Sequence, residues 1–210
     1  MKRKIAWCIP VLCFIITSCS KDPVKNLTEE ESRIYITNYD TTANFRNYRT
    51  FSITDSVAVI SNNQLQGRQK NAVDAKFANA VSQALQARGY IQVSKDQDPD
   101  LGVALSRISN TSSSLVSYTD YGGYYGSYWD PYYWGSPGYD YYFPTYYGIY
   151  ESTETALMID VFDLKNSQQN NQIRSLWSGM IRGSGIFNEA SAESQVASLF
   201  NQSPYLRYEN

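Results

Sequence analysis

Two runs of alternating apolar residues, 153–163 and 172–182, flank a polar segment, and this pair constrains the fold more than any other part of the chain. In the first run Thr155, Leu157, Ile159 and Val161 share a face. In the second, Ile173, Trp177 and Ile181 do so, with Gly179 between them. A period of two with one apolar side marks a strand half-buried against a core. The segment between them, 166–172, reads Asn-Ser-Gln-Gln-Asn-Asn-Gln, so the two strands form a hairpin. A hairpin with one apolar face needs a second layer to cover it.

The sequence supplies that layer twice. Over 68–88, Val73, Phe77, Ala80, Val81, Ala84 and Leu85 recur at steps of three and four, which predicts an amphipathic helix. Arg88 sits in its last turn and Gly89 follows as a left-handed terminator. A second helix is expected over 189–201, capped by Asn188, with Ala192, Val196, Leu199 and Phe200 inward and Pro204 limiting it. Further strands are expected near Ile34 and Ile36, over 48–53, over 90–93, and where Leu101, Val103 and Leu105 alternate with small residues. The order β-β-α-β-β-β-β-α predicts an α+β fold, an antiparallel or mixed sheet with two helices packed on one face.

The start of the chain is of a different kind. Lys2-Arg3-Lys4 precedes an almost wholly apolar run, 5–16, then Thr17, Ser18 and Cys19. The run is shorter than the roughly 20 residues of a spanning helix. Residues 1–18 therefore read as a secretory signal peptide, and a cysteine behind small residues resembles the bacterial lipobox. Signals of that type are cut before the cysteine, which is diacylated and becomes the new N-terminus. Cys8 and Cys13 leave with the leader, so no disulfide framework supports the fold. Residues 19–32 are polar without an apolar period and read as a tether, with one α+β domain over 33–208.

Loss of the leader moves the formal charge from −2 to −5, because it carries three basic residues and no acidic ones. A mildly acidic domain without a basic cluster lacks the footprint of a nucleic-acid binder, so no nucleic-acid partner is expected. Membrane attachment falls to the acyl chains. Histidine is absent, which removes the commonest general base and a common metal ligand together. No catalytic residue, metal site or cofactor is expected.

Several separated motifs agree with one family. Tyr39-Asp40 with Asn44-Phe45-Arg46-Asn47-Tyr48-Arg49-Thr50-Phe51 looks like its opening signature. Arg88-Gly89-Tyr90 and Asp98-Pro99-Asp100-Leu101 resemble its middle. Thr155-Ala156-Leu157-Met158-Ile159-Asp160-Val161-Phe162-Asp163 and Leu176-Trp177-Ser178-Gly179 resemble its closing hairpin. The chain thus resembles, over about 34–205, the bacterial lipoprotein domain of unknown function 4136, common in Bacteroidetes. The resemblance implies an α+β envelope domain and brings no established activity.

Candidate chemistry is sparse. Asp96-Gln97-Asp98-Pro99-Asp100 begins like a calcium loop, but Leu101 and Arg107 stand where glycine and an acid are needed, leaving a solvated turn. Asp160 and Asp163 are three apart, which on a strand points them to opposite faces, and Asp163 suits the hairpin turn. Glu151 and Glu154 fail likewise. Gly183-Ser184-Gly185 lacks the lysine and helix of a phosphate loop and lets the strand end bend. Asp40-Thr41-Thr42 and Asp55-Ser56-Val57 resemble Bacteroidetes O-glycosylation sites, with Thr41 and Ser56 as acceptors.

The remaining feature is a tract over 118–150, a Tyr/Gly-rich excursion between strands with only Asp120, Asp130 and Asp140 as its charges up to Tyr150. Its rings at Tyr121, Tyr124, Tyr125, Tyr128, Trp129, Tyr132, Tyr133, Trp134, Tyr141, Tyr142, Tyr146 and Tyr147 offer apolar faces with polar rims, suited to a neutral glycan or an envelope protein. The sequence therefore predicts a lipid-anchored protein of the cell envelope at the outer membrane, acting as a non-enzymatic binding or structural module. The alternatives are a carboxylate-dependent envelope hydrolase and a structural protein whose tract only packs.

Overall fold

The computed structural model describes residues 27–61, 64–109, 114–117, 134–135, 140–142, 147–150 and 155–208. The strands are β1 (Ile34–Tyr39), β2 (Thr50–Ile53), β3 (Val57–Ser61), β4 (Gln64–Gln69), β5 (Ile91–Gln92), β6 (Leu101–Ser109), β7 (Ser114–Ser117), β8 (Asp140–Tyr142), β9 (Tyr147–Tyr150), β10 (Thr155–Asp163) and β11 (Gln172–Arg182). The α-helices are α1 (Ala72–Gln86), the short α2 (Ser167–Asn170) and α3 (Ala192–Asn201).

Nine strands form one mixed sheet in the order β1-β11-β10-β6-β2-β5. β3 continues β2 along β6 and carries β4 outside it, and β8 lies beside the start of β11. β10 and β11 pair antiparallel as a hairpin, β1 pairs antiparallel with β11, and β2 and β3 run parallel to β6. β7 and β9 make a separate two-stranded ribbon. The α+β class and the mixed sheet follow the sequence expectation.

Both longer helices cover one face. Phe77, Val81 and Leu85 of α1 join Val196, Leu199 and Phe200 of α3 and Leu101, Val103, Leu157, Ile159 and Trp177 of the sheet in one core. α1 starts where Asn71 accepts the Asp74 N–H at 2.9 Å, and stops before Gly89 at φ +90°. The expected helix over 68–88 is shorter because Gln64–Gln69 pairs with β3 instead. The expected helix over 189–201 opens as a 3₁₀ turn, Glu189–Ser191, with Asn188 accepting the Ala190 N–H, and turns α-helical at Ala192. Close approach of α3 to the sheet depends on Gly179, where a β-carbon would collide with the Trp177 ring and lie 2.6 Å from Leu199.

One assignment changes. β11 carries a bulge at Leu176: Val161 pairs with Trp177 and Phe162 with Ser175. One extra residue turns every side chain before it to the other face. Ile173 therefore leaves the face of Trp177 and packs with Ala104 and Phe162 on the side away from the helices.

That second side is also buried. Ile60, Ile108, Ala156, Met158 and Met180 cluster at one end, and Ala104, Phe162 and Ile173 at the other, where Trp134 and Leu164 pack on them. Asp160 stands on this side, 3% exposed. The tract is thus more than an excursion from the sheet. It leaves at Ser109 and returns at Thr155, neighbours across the β6–β10 ladder, while Trp134 and β8 sit at the far end beside Gly102 and the start of β11. Among the described residues no helix is long and apolar enough to cross a membrane.

Candidate functional site

β1 runs from the tether to an aromatic cleft. Its last residue, Tyr39, meets Tyr205 with ring centroids 4.0 Å apart, and Phe45 lies 6.5 Å from Tyr39 and 5.8 Å from Tyr205. Phe45 opens a 3₁₀ turn, Phe45–Asn47, because Asn44 accepts the Arg46 N–H at 3.2 Å. After α3 the Ser203 N–H donates to Phe200 O at 2.8 Å and the Leu206 N–H to Ser203 O at 3.1 Å, a turn that contains Pro204 and Tyr205. With Asn44, Arg46 and Arg207 these rings line a cleft of about 510 Å³.

The cleft is held rigid from below. Asp40 accepts the Thr42 N–H at 2.9 Å and the Thr42 hydroxyl at 2.7 Å, and forms an ion pair with Arg174. Trp177 Nε1 donates to Ser203 Oγ at 2.8 Å, and Ser203 donates to the Tyr205 hydroxyl at 3.1 Å. Burial raises the Tyr205 phenol above its ordinary range, so the ring is neutral at every physiological pH. Flat faces with polar rims in a preformed cleft, flanked by two guanidinium groups, suit a ring-shaped or planar ligand.

The carboxylates named from sequence serve the fold. Asp163 accepts the Asn166 N–H at 2.9 Å and its side-chain amide at 2.8 Å, and binds the Tyr48 hydroxyl at 2.9 Å, as the hairpin reading expected. Burial first, then the Asp163 charge, pushes the Tyr48 phenol well up. Asp160 is sealed on the face away from the helices, and burial alone raises its carboxyl well above the ordinary range. In the Asp96–Asp100 stretch, Asp98 takes a left-handed turn and Asp100 clips β2, accepting the Arg49 and Thr50 N–H groups at 2.6 and 3.1 Å. Burial opposes ionisation of Asp100, yet these amides and Lys165 outweigh it and hold its carboxyl below the usual range. Gly183 and Gly185 turn at positive φ against the tether, where Arg33 donates to Gly185 O at 3.3 Å.

The other predicted positions are spread out. Thr41 is exposed on the turn after β1. Ser56 is half-buried, accepting from Arg68 Nε at 2.9 Å and donating to Asp55 at 3.1 Å. Cys19, Tyr121, Tyr124, Tyr125, Tyr128, Trp129, Tyr132, Tyr133 and Tyr146 lie outside the described residues, as do Glu151 and Glu154. Tyr141 and Tyr142 are in β8 and Tyr147 is in β9. Trp134, half-buried, packs on the sheet. The Tyr39–Phe45–Tyr205 cleft was not foreseen. The signal was present as Tyr39 and Phe45 within one motif, but nothing local ties them to Tyr205.

A nine-stranded mixed sheet with its longer helices on one side places the molecule among α+β domains. The chain belongs to the domain of unknown function family DUF4136, whose profile matches residues 36–205. A crystal structure of a DUF4136 family protein from Bacteroides thetaiotaomicron is similar, with TM-score 0.65 and 25% identity, covering 85% of this chain and 99% of that one. A PDZ domain protein from Parabacteroides distasonis gives TM-score 0.44 at 12% identity, over 87% of this chain and 42% of that one. A PelC dodecamer from Paraburkholderia phytofirmans gives 0.39 at 10%, over 84% and 99%. No curated protein matches the chain.

Proposed function

We propose that this chain is a lipid-anchored module of the cell envelope, held at the outer membrane by acyl chains on Cys19 and working by binding or support rather than catalysis. Its contacts are made through aromatic surface, the tract over 118–150 together with the Tyr39–Phe45–Tyr205 cleft. The observation that carries the reading is the geometry of β1. The tether enters at Ile34 and the cleft opens at Tyr39, about 17 Å away at the rise of an extended strand. A domain tied to a membrane at one end thus presents its preformed aromatic cleft at the other. The partner is an envelope protein or a neutral glycan. Against a hydrolase stand Asp160 and Asp163, the acid pair named from sequence: one is sealed behind the sheet, and the other is bound to Tyr48 and Asn166.

Cys19→Ser is the test of the anchor. The variant is expected to stay unprocessed or to leave the membrane fraction, read by fractionation and intact mass. A variant still matured and membrane-bound would overturn it.

A further inference from the structure

The sheet ends at β1, and among the described residues no strand lies outside it. The ladder fixes which way its backbone groups point. The Asp40 N–H donates to Leu176 O at 2.9 Å, and the register runs unbroken from Ile34–Arg182 to Tyr39–Trp177. Antiparallel pairs alternate, so Ile34, Ile36 and Asn38 bond β11, while Tyr35, Thr37 and Tyr39 turn their N–H and C=O groups outward. The Gln202 side-chain amide, at the end of α3, agrees with this by donating to Tyr35 O at 3.4 Å. Thr37 and Tyr39 lie beyond that contact, where the aromatic cleft begins.

Edge strands are ordinarily protected by charge, proline or a bulge against pairing with another chain. β4, at an opposite edge, is protected: it carries Arg68, Gly67 turns at φ +133°, and its ladder with β3 shifts register. β1 reads Ile-Tyr-Ile-Thr-Asn-Tyr, with no charge, no proline and no break in register. The side chains of its outward-bonding residues share the helix-covered face, where Tyr35 packs on the core and Tyr39 on Tyr205. The cleft at this end is cationic, although the chain as a whole is acidic. Arg46 and Arg207 line it, and none of its described lining residues is an acid. Burial first, then the like charge of Arg207, lowers the Arg88 guanidinium, so a third cation stands close by.

We propose that β1 takes up an extended segment of a protein partner as an added strand, with an aromatic side chain in the cleft and an acidic one facing Arg46 and Arg207. The donors and acceptors of Thr37 and Tyr39 have the spacing of a neighbouring peptide backbone, which a sugar does not reproduce. Alternate side chains of the added strand fall on the helix-covered face, so the one beside Tyr39 enters the cleft. Strand addition rests on the cleft's being a recognition surface, and it narrows the partner to a protein.

The test is selection from a random peptide library displayed on phage, with the full-length protein immobilised in detergent. Peptides joining an aromatic residue to Asp or Glu should be enriched. In the tightest of them, made synthetically, N-methylation at alternate residues should weaken binding about tenfold or more in one register. In the other register it should change little, since only every second N–H faces β1. Thr37→Pro removes an outward N–H that β11 does not use, so it should still unfold cooperatively and bind the peptide about tenfold more weakly. If that variant fails to fold, the methylated peptides decide on the parent protein. A library that yields no binder overturns strand addition, as do methylation effects without alternation. Glycan or envelope capture lost in Tyr39→Ser but untouched by Thr37→Pro overturns it too, and leaves the aromatic cleft standing. A peptide bound equally by Tyr39→Ser and the parent overturns the cleft as a recognition surface, and strand addition with it.

Discussion

Phe77→Ala should lower the unfolding free energy by about 3–5 kcal/mol, the usual cost of removing a buried aromatic ring. Phe77 is 1% exposed at the centre of the helix-covered core and meets Phe187 edge-on, with centroids 6.2 Å apart. Its removal leaves a void between α1 and the sheet that neighbouring side chains fill only in part. At about 2–4 °C per kcal/mol for a chain of this size, melting should fall by about 10 °C. Calorimetry or circular dichroism reads the shift. A melting temperature unchanged by the substitution would place Phe77 on the surface and refute the packing of α1 on the sheet.

Asp160 should make the protein less stable as pH rises, the reverse of the usual carboxylate effect. Its carboxyl is neutral in the fold because burial raises it well above the ordinary 3.8, while in the unfolded chain it ionises near that value. Below the unfolded value both states are protonated and the group contributes nothing to the pH dependence. Above it the unfolded state binds fewer protons, so stability falls by about 1.4 kcal/mol per pH unit until the folded carboxyl itself ionises. Asp160→Asn removes that slope. Denaturant unfolding at pH 4 and pH 8 should show the difference between variant and parent shifting in favour of the variant as pH rises. Parallel pH profiles for the two proteins would mean that Asp160 is already ionised in the fold.

The parts of the fold legible in sequence are those where one face is apolar and the other is not. α1 shows this at a period near 3.6 and the leading half of β6 at a period of two, and both stand as expected. β4 was missed for the opposite reason. Gln-Leu-Gln-Gly-Arg-Gln is exposed along most of its length and has one apolar residue, so no alternation announces it. Its residues merged in the sequence with the start of α1. The buried second side of the sheet was written in Ala104, Ala156, Met158, Phe162 and Met180, apolar at positions that a solvated face would fill with polar groups. That pattern signals a sheet covered on both sides. The bulge at Leu176 was not legible: adjacent Leu176 and Trp177 break the alternation there, but Met180 and Ile181 break it again where the ladder stays in register. The cleft is a tertiary fact: Tyr39 and Tyr205 come from opposite ends of the domain and meet only because β1 and the segment after α3 share an edge.

Recognition through aromatic surface is the central claim, and one binding comparison tests it most directly. The full-length protein in detergent and a variant with Tyr39, Tyr121, Tyr124, Tyr125, Tyr128 and Trp129 changed to serine are applied side by side to a glycan array and to solubilised envelopes. These substitutions spare Trp134 and the helix-covered sheet core. The account predicts specific capture by the parent, loss of that capture in the variant, and a variant that still unfolds cooperatively. A folded variant that retains every interaction of the parent would contradict it.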